Sequence, residues 1–237
     1  MQIVLDQKSR AANVQRISAA IDAAAGADPS PDVLVLPGGC DTGGAAGTRG
    51  LHDASLTALR ERLAGKAREW GVFIAAGLHH RVGGSFEPYA VLIDSDGDVA
   101  ACSGDRANMP SEAGSTPARW WSTSIGRVGV LDVSEADPAM VATECRDEPA
   151  LVAVPIPRSQ GGKVGRATAS LLSTLQNDPA AGAGLSWVVV APADMDGEAY
   201  DVHAPLSFVR GPDGSILAAA KNSDETIVQA EIAVASS

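Results

Sequence analysis

The residues Leu34-Val35-Leu36-Pro37-Gly38-Gly39-Cys40-Asp41-Thr42-Gly43 put the thiol of Cys40 directly behind an apolar run broken by Pro-Gly-Gly. A thiol attacks an electrophilic carbon only as thiolate, so a catalytic Cys40 requires a neighbouring base and a face turned to substrate. No base adjoins it in the sequence, which favours a loop or core thiol. Asp132 and Glu135 form a second candidate, since paired carboxylates divide acid and base work when burial separates their pKa values. A structural hydrogen-bonding role for Glu135 is the simpler reading. His79-His80 offers proton carriers or metal ligands. Adjacent residues on extended chain point apart, however, and a zinc site wants further ligands that neither His52 nor His203 supplies, so an ordinary loop role is expected. Asp194-Met195-Asp196-Gly197 has the start of a calcium loop without its bidentate glutamate, and reads as a turn. Trp120-Trp121 has the composition of a pocket wall, a core or a subunit contact.

The same stretches carry a resemblance. Pro37-Gly38 through Thr42-Gly43 resembles the Pro-Glu-x-x-x-Thr-Gly element of the nitrilase, or carbon–nitrogen hydrolase, superfamily, with Gly38 where the family has its glutamate base. Gly126-Arg127-Val128-Gly129-Val130-Leu131-Asp132-Val133-Ser134-Glu135 resembles the family's Gly-x-x-Gly-Val-x-Ile-Cys-Tyr-Asp, with Val133 at the nucleophile and Ser134 one residue off. The family's Lys-x-His-Leu is matched by Arg106-Ala107-Asn108-Met109, while a count from Gly97 selects Asp105. Neither residue replaces a lysine, because a guanidinium does not exchange its proton at neutral pH. Asn13 with Arg16-Ile17, the passage from Leu63 to Gly77, the Tyr89–Gly97 hairpin and the late Ser207–Ala218 hairpin resemble further family segments in the same order. Pro88 stands where the family usually has Asn.

Those residues need elements to hold them. Apolar side chains from Ala11 through Val14, Ile17 and Ile21 to Ala24 recur at helical spacing, as do Leu56, Leu59, Leu63 and Ala67, with Gly71 ending the second helix. Val33–Leu36, Val72–Ala76, Val128–Leu131, Leu151–Pro155 and Trp187–Val190 read as buried strands, and Asp94-Ser95-Asp96-Gly97 as a hairpin turn. Residues 103–124 read as a loop. Arg158–Lys163 is expected to open a helix striped by Val164, Ala167, Leu171 and Leu175. Cys102 is placed on a strand end and Cys145 on an apolar helix face. Strands alternating with helices, with hairpins added, predict an α/β protein with a mixed, helix-covered sheet. The resemblance sharpens this to an α-β-β-α two-sheet sandwich, pairing with a second copy into a four-layer α-β-β-α-α-β-β-α dimer.

The 237 residues suit a single domain spanning 1–237, and no repeat, linker or low-complexity tract divides them. Apolar residues make up 45% but aromatics only 4%, so the core is built from Val, Leu, Ile and Ala. A net charge of −11 without a basic run argues against nucleic acid and anionic membranes. Three scattered cysteines suggest neither a disulfide framework nor zinc. No leader-like start and no apolar run of the ~20 residues needed to cross a bilayer is seen, so a cytoplasmic location is expected. The resulting expectation is a catalytically inactive homologue, needing no cofactor, that binds a small molecule or acts through an oligomeric surface. The alternatives are a divergent amidase using Cys40 or the Asp132 and Glu135 carboxylates, and a pure interaction protein.

Overall fold

The structure, a computed structural model, describes residues 1–6, 9–42, 53–82, 85–104, 119–123, 125–145, 150–157, 165–182, 184–193, 206–220 and 224–232. Helix α1 (Arg10–Ala25) starts where the Ser9 hydroxyl accepts from the Ala12 amide at 3.3 Å, and turns Ile17, Ile21 and Ala24 inward. Asn13, on the same buried face, exchanges two hydrogen bonds with the backbone of Asp6 (2.7 and 2.8 Å) and so straps the preceding segment to the helix. Helix α2 (Asp53–Trp70) buries Leu59, Leu63 and Ala67 and stops at Gly71, whose φ of 66° suits a residue without Cβ.

These helices cover a sheet of order β1-β2-β3-β4, made of β1 (Val33–Val35), β2 (Phe73–Val82), β3 (Ser85–Ile93) and β4 (Val99–Gly104). Only the β1–β2 pair is parallel. The second sheet joins β5 (Trp120–Thr123), β6 (Gly126–Val130), β7 (Ala150–Pro155), β8 (Leu185–Val190), β9 (Phe208–Arg210) and β10 (Ile216–Ala219) in the order β10-β9-β8-β7-β6-β5, with a parallel β6-β7-β8 centre. Helices α3 (Pro138–Glu144) and α4 (Arg166–Asn177) cover its outer face.

Strand alternation divides the side chains among three apolar layers. Ile74, Ala76 and Leu78 of β2 pack under α1 and α2. Val152, Val154 and Trp187 pack with Val141, Leu171 and Leu172 under α3 and α4. Between the sheets lie Val35, Ala75, Ala90, Ala101, Val130, Ala153 and Val190, a layer thin in side-chain volume. The expected α-β-β-α sandwich is the observed one.

Three expectations are corrected. Strand β2 runs on past Ala76 to Val82, so His79 and His80 are strand residues paired with Pro88 and Glu87 of β3. Backbone pairing with β3 overrides the loop signal of the polar residues. Trp120 and Trp121 form part of β5, paired with Gly129 and Val128, instead of lying in a loop. On α4 the buried stripe is Thr168, Leu171, Leu172 and Leu175, leaving Ala167 exposed. Residues 158–164 lie outside the described residues.

Candidate functional site

The chain leaving β1 continues along β2: the amides of Leu36 and Cys40 donate to the carbonyls of Ala75 and Gly77 at 2.8 and 3.1 Å. Between them Gly38 crosses to the other sheet, its amide donating to the Ile156 carbonyl at 2.9 Å. A Cβ on Gly38 would stand 2.6 Å from the Pro157 Cα and 2.7 Å from the Ile156 carbonyl carbon. Gly77 is equally confined, since its Cβ would lie 2.5 Å from the Cα of Gly38. Glycine is thus required at Gly38 by backbone on the far side. No side chain fits at position 38 without moving the Ile156–Pro157 segment that follows β7.

Cys40 is fully buried in the core under α1 and α2, and its Sγ lies 2.9 Å from the Pro37 carbonyl. Burial, and secondarily the Asp41 carboxylate, push its pKa well above the ordinary thiol range. The thiol is held as a neutral donor. Asp41, also buried, turns to β2: Oδ2 accepts from the His79 amide at 2.6 Å, and Oδ1 lies 2.8 Å from His79 Nδ1. His79 follows Ala75 and Gly77 on the face toward the second sheet. Its Nε2 has no hydrogen-bonding partner among the described residues.

At the end of β6, Val133 is half-buried against the core beneath α3 and α4, and Asp132 is buried. The Asp132 amide donates to Ser103 Oγ of β4 at 2.9 Å. Its Oδ1 accepts from the amide and hydroxyl of Ser134 at 2.9 and 2.6 Å, a turn closed by its own side chain. Glu135 accepts from Ser103 Oγ at 2.8 Å and lies 3.6 Å from the Arg119 guanidinium. One serine therefore ties β4 to both carboxylate-bearing residues. Arg119 also reaches Glu144 at 3.4 Å, and Trp120 Nε1 donates to the same carboxylate at 3.2 Å. The Trp120 ring fills the space a Cβ on Gly129 would need and carries Arg127 over its face at 5.1 Å.

Asp105, Arg106, His52, His203 and residues 194–197 lie outside the described residues, so the position of the family's lysine is not among those placed. Cys102 packs in the first core and Cys145 caps the C-terminus of α3 in the second, both buried. Among the described residues no group of three or more His, Cys, Asp and Glu is placed to hold a metal, and no helix is long and apolar enough to cross a membrane. A cavity of about 490 Å³ lies elsewhere, between β1 and the strands β8 and β9, roofed by residues 29–32 and 227–232. None of Cys40, Asp132, Glu135 and Trp120 lines it.

Two residues that organise this end of the sandwich, Asp41 and Ser103, were not singled out from sequence. Asp41 gave a signal, being a charged residue in an otherwise small and apolar strand exit. Ser103 gave none, because its role depends on which strand faces it.

No family model matches the sequence, and no curated protein matches it. Solved structures do. A crystal structure of an amidase from Nesterenkonia sp. superposes with a TM-score of 0.68 at 20% identity, over 96% of this chain and 86% of that one. A variant of the amidase from Nesterenkonia sp. AN1 in complex with butyramide gives 0.64 at 20% identity, over 93% and 84%. Another variant, described as an amidase from the nitrilase superfamily, gives 0.63 at 20% identity, over 93% and 85%. This chain has the fold of the nitrilase-superfamily amidases.

Proposed function

We propose that this chain is a nitrilase-superfamily homologue that has lost the covalent route to carbon–nitrogen hydrolysis and retains the scaffold for binding. The observation that carries this reading is the packing at Gly38: backbone from Ile156 and Pro157 occupies the space a general base would need. Val133 offers no nucleophile, and Cys40 is buried, hydrogen-bonded and held protonated. Without a nucleophile no thioester forms, whatever else the site holds. In this reading the protein works as a homodimer that takes a small molecule. The test is ammonia release from acrylamide, butyramide, nitriles and carbamoyl compounds by purified protein, with light scattering for the dimer. No release above buffer is expected; turnover removed by one point substitution overturns the reading.

The Asp41–His79 pair favours one other reading, a hydrolase with a rearranged site. A carboxylate on Nδ1 fixes the imidazole so that Nε2 accepts a proton, and a water activated there would attack without a covalent intermediate. Hydrolysis abolished by His79→Ala and untouched by Cys40→Ala would establish it.

A further inference from the structure

The first sheet ends at β1, while the second continues through β8, β9 and β10. The inner faces of Val188, Val190 and Val209 therefore look across at Val33 and Val35 with no further paired strand between, and this gap is the cavity of about 490 Å³. The volume falls within the range of small-molecule sites. Three of its polar side chains are engaged within the protein. Ser207 Oγ accepts from the Ala191 amide at 3.0 Å, Gln2 Nε2 donates to the Asp224 carbonyl at 2.9 Å, and Ser30 Oγ donates to the Ala25 carbonyl at 2.9 Å. The Met1 amine donates to the Val35 carbonyl at 2.6 Å, and burial lowers its pKa to about 5, so at neutral pH it presents no cation. The facing Val33, Val35, Val188 and Val190 side chains favour apolar atoms between them. At the mouth stand two exposed carboxylates, Asp32 and Glu231, neither with an ion-pair partner among the described residues.

We propose that this cavity is a binding site for a linear alkyl chain with a cationic head, the chain lying between Val33, Val35, Val188 and Val190 and the head at Asp32 and Glu231. The site lies away from Gly38, Val133 and His79, and the proposal stands whether or not the protein hydrolyses amides. Fatty acids are disfavoured by the same two carboxylates. Neutral alcohols enter but lose the head contact.

Calorimetric titration of the full chain with hexyl-, octyl- and decylammonium below their micelle concentrations tests this, with decanol and decanoate as controls. Saturable one-to-one binding is expected, tightening about fourfold per methylene until the cavity is full. Decanoate should bind at least ~10-fold more weakly than decylammonium. Replacing both surface carboxylates, Asp32→Asn with Glu231→Gln, should reduce decylammonium to the affinity of decanol. Filling the cavity with Val190→Trp should abolish binding; if that variant does not fold, Val33→Phe makes the same test from the opposite wall. Unsaturable binding, equal affinity for decanoate, or decylammonium binding unchanged in the carboxylate variant overturns the proposal. So does light scattering showing a dimer that decylammonium neither competes with nor enters, because a second copy then covers the mouth.

Discussion

Asp41 holds His79 at two points, accepting from its backbone amide at 2.6 Å and meeting its ring Nδ1 at 2.8 Å. Both residues are buried, and the pair ties the chain leaving β1 to the middle of β2. Removing the carboxylate leaves the buried His79 amide unsatisfied, which costs about 1–3 kcal/mol. Asp41→Ala is therefore expected to lower the unfolding free energy from urea denaturation by that amount, and Asp41→Asn, which keeps one acceptor, by less. An unchanged midpoint in Asp41→Ala would remove the pair from any account of stability.

Adding the same methyl group at two glycines should have opposite effects. Gly38→Ala forces a Cβ against the Ile156–Pro157 backbone, where nothing flexible can yield, and is expected to destabilise by about 1–3 kcal/mol or more. Gly65, inside α2, has nothing within 4 Å of its Cβ position, so Gly65→Ala should stabilise by about 0.5–1 kcal/mol through helix propensity. Thermal melts of the two variants decide the matter by their sign alone.

Cys40 should make the protein sensitive to alkali. Its thiol is shifted upward by burial from an ordinary value of 9.0, so above that pH the folded state binds more protons than the unfolded chain. Stability is full below pH 9 and falls as pH rises beyond it. Cys40→Ala should flatten that alkaline limb, at the cost of a lost sulfur contact in the core. In the native protein at neutral pH, iodoacetamide should modify Cys40 only at the rate of unfolding; faster modification would mean an accessible thiolate.

Arg210 is buried and spends its guanidinium entirely on carbonyls, those of Ala181 at 2.5 Å, Pro179 at 2.8 Å, and Asp178 and Gly214 at 3.2 Å. It joins the turn after α4 to the β9–β10 hairpin. Arg210→Met orphans these acceptors and should cost about 2–4 kcal/mol. Arg210→Lys should recover only part, because one ammonium cannot span the fork. Chemical denaturation of both variants measures the difference.

The local features of the chain are legible in its sequence. The stripe of α2, that of α1 from Val14 onward and the Asp94–Gly97 turn lie where the sequence put them, whereas Ala11, in the first turn of α1, is exposed. The strand position of His79 is not legible locally, because a strand's length depends on its partner: β3 holds β2 extended to Val82. The same holds for Trp120, whose strand exists only by pairing with β6.

What the residues determined unaided is an inventory. Gly38 has no carboxylate and Val133 no thiol, and no packing can add either. What only tertiary structure decided is adjacency. Pro157 closes the space at Gly38 from more than a hundred residues away, Asp41 finds His79, and Ser103 joins Asp132 to Glu135. Periodicity encodes which face of an element is buried; it does not encode which element arrives to bury it, because that follows from how the two sheets stack and how closely their small residues allow them to approach.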